Sequence, residues 1–83
     1  MKLLYFAWLR TKTGITQEEV APPEHVRDVA SLVEWLRTRG PRFADAFGNA
    51  AVIRVAVNQE YARPDHPLRA GDEVALFPPV TGG

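Results

Sequence analysis

The chain has 83 residues, 46% of them hydrophobic, with ten basic and ten acidic side chains and no cysteine. That length makes one small domain burying about 60 to 65% of the surface its unfolded chain exposes; the lack of cysteine excludes a disulfide framework, a thiolate nucleophile and a zinc ribbon, and suits a reducing cytoplasm. Arg27, Arg37, Arg39 and Arg42 are interleaved with Asp28, Glu34 and Asp45, so no basic stripe forms for nucleic acid, and no apolar window suits a signal peptide or a membrane span.

Leu3 to Leu9 is apolar on both alternating faces, with Leu3, Tyr5, Ala7 and Leu9 on one and Leu4, Phe6 and Trp8 on the other. This predicts a first strand that is central or covered by a partner. Arg10 to Gly14 carries loop chemistry, and Ile15 to Ala21 predicts an edge strand returning as a hairpin. Pro22-Pro23 ends it, having no N–H for a ladder. Asp28 is a predicted helix N-cap accepting from the amide of Ala30 or Ser31, and Val29, Leu32, Val33 and Leu36 then make one apolar face. With Arg37 and Arg39 at the negative end, Gly40 placed to close in αL and Pro41 as a stop, the helix spans 29 to 39. Trp35 flanks the apolar stripe as packing. Residues 42 to 47 predict a short further helical turn, stopped by Gly48-Asn49.

Further on, Ile53, Val55 and Val57 share one face of a predicted inner strand, with Arg54 and Ala56 on the other. Asn58 to Glu60 forms a turn, Tyr61-Ala62 a short strand, and Pro64 to Pro67 a loop. After Gly71-Asp72, Glu73 to Phe77 is the final strand. One amphipathic helix over one sheet gives an α+β two-layer domain. Two groups carry acid–base side chains, Glu24 with His25 and Asp28, and Asp65 with His66. Neither has a positioned nucleophile or metal-ligand spacing, so no metal site is expected.

The chemistry concentrates at the C-terminus. Pro78 and Pro79 keep the chain extended and out of a ladder, and the six residues from Pro78 to Gly83 could reach roughly 20 Å. Gly82 and Gly83 have no Cβ to obstruct a narrow channel or an attack on the terminal carbonyl.

The run from Gly71 to Gly83, Gly-Asp-Glu-Val-Ala-Leu-Phe-Pro-Pro-Val-Thr-Gly-Gly, resembles the C-terminus of the MoaD family, the small sulfur-carrying subunits of molybdopterin synthase. Lys2 to Ala7, Arg37 to Pro41, Val57-Asn58-Gln59 and Asp65 to Leu68 extend the likeness over essentially the whole chain. It implies the ubiquitin-like β-grasp fold: a mixed sheet of four to five strands, first and last parallel at its centre, with one face under one main helix. Residues 1–77 would be the body and 78–83 the tail. The helix would cover Leu3, Tyr5, Ile53, Val55, Val57, Val74 and Leu76, since Arg54 and Glu73 do not suit a core. Leu4, Phe6, Trp8, Ala56, Ala75 and Phe77 would then form an exposed apolar face of the kind that marks an interface.

The same resemblance implies the chemistry. An ATP-dependent, MoeB-like activating enzyme, similar to ubiquitin-activating proteins, adenylates Gly83, and a sulfurtransferase persulfide converts it to a thiocarboxylate. The tail then enters a pocket of a MoaE-like large subunit, in a heterotetramer, and gives sulfur to cyclic pyranopterin monophosphate to form the molybdopterin dithiolene. On this reading the chain catalyses nothing alone and binds no cofactor. Gly83 matches the sulfur-bearing position, Gly82 the penultimate glycine, and Pro78, Pro79, Val80 and Thr81 the extended approach. Phe6 and Phe77 match hydrophobic contacts with the large subunit, while Trp8 and residues 42 to 50 depart from the pattern. Other ubiquitin-like carriers, serving thiamine or cysteine synthesis or conjugating to proteins, also end in Gly-Gly but generally lack Phe-Pro-Pro-Val. A plain interaction domain with an incidental tail is the remaining alternative.

Overall fold

A computed structural model describes residues 1–49 and 52–79. Its elements in chain order are β1 (Lys2–Tyr5), α1 (Trp8–Thr13), β2 (Gln17–Glu19), α2 (Val29–Arg37), α3 (Pro41–Ala46), β3 (Arg54–Val57), β4 (Glu60–Tyr61) and β5 (Glu73–Phe77). The strands form one sheet in the order β2-β1-β5-β3-β4. β1 and β5 run parallel at its centre, in register from Lys2–Glu73 to Tyr5–Leu76, and the other neighbours are antiparallel. This is the β-grasp arrangement.

The inner face carries the core. Val29, Leu32, Val33 and Leu36 of α2 are buried together with Leu3, Tyr5, Ile53, Val55, Val57, Val74 and Leu76. Each such aliphatic side chain contributes about 1.5–3 kcal/mol by leaving water. Helix α2 starts where Asp28 caps it: the Ser31 amide donates to the carboxylate at 2.8 Å, and the Asp28 amide donates to Ser31 Oγ at 3.1 Å. The Ser31 hydroxyl, then its amide, hold the Asp28 carboxyl below its ordinary range. The loop after β4 adds carbonyls at the same end, His66 accepting from Val29 and Pro64 from Ala30.

The first strand is shorter than its apolar run predicts. It ends at Tyr5, Ala7 turns the chain out of the sheet at φ 52° and ψ −129°, and Trp8–Thr13 is helical instead of strand and loop. A short run apolar on all sides fits a strand and a buried helical turn equally well. Burial of Leu9 and Thr13 one turn apart decides for the helix, and Thr13 Oγ1 donates to the Leu9 carbonyl at 2.7 Å. Gly14 closes it at φ 76°, where an added Cβ would also lie 3.2 Å from an Arg42 guanidinium nitrogen. β2 is the expected edge strand, reached through α1 rather than through the expected loop of residues 10–14.

Helix α2 also stops early, at Arg37 instead of Arg39, with Thr38 as its C-cap. Gly40 at φ 143° and Pro41 therefore open α3, Pro41 standing at its first turn, instead of closing α2. The Arg39 side chain has a tertiary partner. Its guanidinium grips Glu18 of β2 through two bonds of 2.6 and 3.0 Å and lies 5.1 Å from the Trp35 ring centre and 4.7 Å from that of Phe43.

Candidate functional site

The face away from α2 is built by strand alternation. Leu4 of β1 stands beside Ala75 of β5, Ala75 beside Ala56 of β3, and Ala56 beside Tyr61 of β4, a cross-strand row of four apolar or aromatic residues. Toward the end of β5 the next row holds Phe77 opposite Arg54. Phe6 lies beside them, its amide donating to the Leu76 carbonyl at 3.1 Å and continuing the β1–β5 ladder one residue past β1. Leu4, Ala56, Ala75 and Phe77 are half-buried, whereas Phe6, Trp8 and Tyr61 are 46%, 45% and 79% exposed. Phe6 and Tyr61, exposed on either side of Phe77 on this face, make it an interface-type surface.

The chain leaves the sheet at this surface. β5 ends at Phe77, and Pro78 and Pro79 follow, half-buried and in no regular element. The expectations placed on Val80, Thr81, Gly82 and Gly83 lie outside the described residues. Phe6 and Phe77, expected as partner contacts, are brought together at the point of exit. Trp8 is exposed as expected, although it stands in α1 and not in a strand. Tyr61 was missed by the sequence reading. Its ring centre lies 5.9 Å from that of Phe77, and it is the pairing of β4 with β3, Tyr61 beside Ala56, that places it in the bare row.

Beneath the exit, the inward residue Tyr5 fixes the end of β1. Its ring meets Phe43 and Phe47 edge-on, each at 6.3 Å between centres, and its hydroxyl donates to Glu18 at 2.7 Å. Burial, then the Glu18 carboxylate, push the Tyr5 hydroxyl pKa far up, so it stays protonated as a donor. Burial would by itself raise the Glu18 carboxyl as well, but the Arg39 guanidinium and the Tyr5 hydroxyl outweigh it and hold the group below its ordinary range. The Glu18 carboxylate in turn raises Arg39. The network is structural: it ties edge strand β2 to the segment after α2.

The acid–base candidates do not assemble a site. The Asp28 carboxylate is occupied by Ser31, and what His66 contributes to α2 is its backbone carbonyl. Among the described residues, no group of three or more His, Cys, Asp or Glu side chains could hold a metal ion, and no helix is long and apolar enough to cross a membrane. What the arrangement offers chemically is an apolar face beside a departing chain end.

Comparison with known proteins bears directly on that arrangement. The ThiS family model matches residues 3–83. The chain belongs to the ThiS family. The molybdopterin synthase sulfur carrier subunit of Escherichia coli is 41% identical over 83 residues, covering 100% of this chain and 99% of that protein. Among solved structures, a Pyrococcus furiosus protein assigned as subunit 1 of molybdopterin converting factor superposes with a TM-score of 0.76 at 34% identity, covering 95% of each chain. Small archaeal modifier protein 1 of Haloferax volcanii also superposes with a TM-score of 0.76, at 30% identity and 95% coverage of each chain. The two solved structures share the ubiquitin-like α+β fold of this chain, and all three proteins match it over nearly their whole length.

Proposed function

We propose that this chain is the sulfur carrier of a molybdopterin synthase, and that its folded body presents Gly83 to two partners in turn. The observation that carries the reading is the juxtaposition at the end of β5, where a central strand runs into Pro78-Pro79 between Phe6, Phe77 and Tyr61. A partner that seats on the apolar face receives the tail in a fixed direction. The 41% identity to a sulfur carrier subunit supports the same assignment.

A carboxylate is a poor electrophile. An ATP-using activating enzyme would join the Gly83 carboxylate to AMP with loss of pyrophosphate, making the carbonyl carbon attackable. A sulfurtransferase persulfide then displaces AMP, and reductive cleavage of the S–S bond by a thiol leaves a C-terminal thiocarboxylate. In the large subunit's pocket that sulfur would attack cyclic pyranopterin monophosphate, and hydrolysis would return the free carboxylate. This chain contributes position: Phe6, Tyr61 and Phe77 dock, Pro78 to Thr81 hold the approach extended, and Gly82 and Gly83 leave the reacting carbon unobstructed.

Similarity to a modifier protein favours a second reading, in which a lysine amine takes the activated Gly83 instead of sulfur. Co-expression with an activating enzyme and a sulfurtransferase, followed by intact mass, separates the two. A sulfur carrier gains the mass difference between sulfur and oxygen, and a modifier appears joined to other proteins. Deleting Gly83, or adding one residue after it, is expected to abolish sulfur transfer with the thermal unfolding midpoint unchanged, because the reacting atom moves by a residue length. Transfer by either variant would overturn the reading.

A further inference from the structure

The bare face is self-complementary, and the geometry points to a weak face-to-face homodimer of the free carrier through this surface. Its outward residues fall in three rows on the two central strands. Lys2 stands beside Glu73, Leu4 beside Ala75, and Phe6 beside Phe77. Consider a two-fold axis running along the strands midway between β1 and β5. It lays β1 of one copy over the partner's β5, and β5 over the partner's β1.

Each row then meets its complement. Lys2 faces the partner's Glu73 and Glu73 the partner's Lys2, so the four charges form a square of alternating sign. Leu4 faces the partner's Ala75, a large residue over a small one, which suits close packing between sheets. Phe6 faces the partner's Phe77 twice, giving an aromatic cluster on the side where both copies of β5 end. A two-fold axis through β1 itself would set Lys2 against the partner's Lys2, and one through β5 would set Glu73 against the partner's Glu73. Charge thus selects the register between the strands. Glu19, on the far side of Lys2, is already paired with the amino terminus at 2.9 Å.

Area sets the strength. Five strands about 4.8 Å apart and three outward rows about 6.7 Å apart give a face of roughly 400–500 Å² per copy. Both copies together bury roughly 800–1,000 Å², below the 1,200–2,000 Å² or so of stable specific interfaces. Sheet twist, which aligns packed sheets at about 30°, confines close contact to the columns beside the axis. The dimer is therefore reversible, covers Phe6 and Phe77 while the carrier is free, and yields to a larger partner on the same face.

Sedimentation equilibrium of the full chain, from about 20 µM to about 1 mM, reads this directly; a contact of this size should dissociate in the upper part of that range. The average mass is expected to climb toward twice that of one chain. Lys2→Glu alone and Glu73→Lys alone each make the charge square all of one sign, and each should weaken self-association at least tenfold. In the mixed pair the two negative groups of one copy face the two positive groups of the other, so opposite charges again meet across the interface, and the mixture should associate where neither variant does. Near-UV and far-UV circular dichroism of each variant checks that it is folded, and Phe77→Asp provides a second break that leaves the square intact. A wild-type chain that stays monomeric throughout, or a mixture no more associated than its components, would overturn the dimer. The measurement uses no sulfur, ATP or large subunit, so its failure would leave the carrier reading standing.

Discussion

On β1 and β5, Leu3, Tyr5, Val74 and Leu76 are at most 1% exposed beneath the helices, while their neighbours Leu4 and Ala75 are half-buried and Phe6 is 46% exposed. Both faces carry large apolar side chains along these strands, and the bare one differs by Lys2 and Glu73 at its far end. What separates them is the helical layer, which lies on one side only: the apolar stripe of α2, with Leu9 of α1 and Phe43 and Ala46 of α3 buried in the same core. A one-residue slip of β1 would exchange the two sets, sending Leu4 and Phe6 into the core and Leu3 and Tyr5 to the surface. The charged residues oppose that slip, since Arg54 and Glu73 alternate outward with the bare face. One face holds the fold together, and the other is left bare.

Breaking the covered face should cost the most. Leu76→Ala removes a fully buried side chain from the sheet centre and is expected to lower unfolding free energy by about 2–5 kcal/mol, read by urea denaturation. A loss within about 0.5 kcal/mol, the size of an ordinary surface substitution, would mean that the inner face is not the core. On the bare face the expectation inverts. Tyr61→Asp should leave stability within about 0.5 kcal/mol but weaken binding to a large molybdopterin synthase subunit by about 2 kcal/mol or more, measured by calorimetry. An unchanged isotherm would remove Tyr61 from the docking surface and leave Phe6 and Phe77 to carry it.

The smallest effect sharpens the boundary between faces, where Glu18 ties the sheet edge to Arg39 and Tyr5. Its carboxyl pKa is held below the ordinary value of 4.5. A depressed carboxyl contributes stability that is present above the unfolded-state pKa and lost as pH falls through the folded-state value. The wild-type unfolding midpoint should therefore decline as pH drops below about 4.5, with Asp28 and Asp72, also depressed, adding to the loss at lower pH. Glu18→Gln should flatten the upper part of that decline. Parallel curves for the two proteins would show that the network carries no proton linkage.

Where an element rests on local chemistry, the sequence was enough. Asp28 caps α2 because its side chain reaches a backbone amide three residues on, and the apolar spacing of Val29, Leu32, Val33 and Leu36 fixes the covered stripe. β5 and its abrupt end at Pro78 follow equally from alternation and a missing N–H. Phe6 and Phe77 were legible as bare-face residues for the same reason. Where long-range contacts choose between local options, the sequence misled: α1 in place of strand and loop, the early stop of α2, and the role of Gly40.

By itself the sequence determined an α+β domain with one main helix, the inward set of each inner strand, and the stop of the last strand before Pro78, because period, caps and backbone restrictions act within a few residues. Only the tertiary structure decided that Tyr61 meets Phe77, that Arg39 leaves α2 to hold Glu18, and that Ala7 turns the chain so that Trp8 stands in a helix. Those outcomes depend on residues 16 to 21 positions apart or on burial against elements elsewhere in the chain. Local periodicity carries no record of such distances.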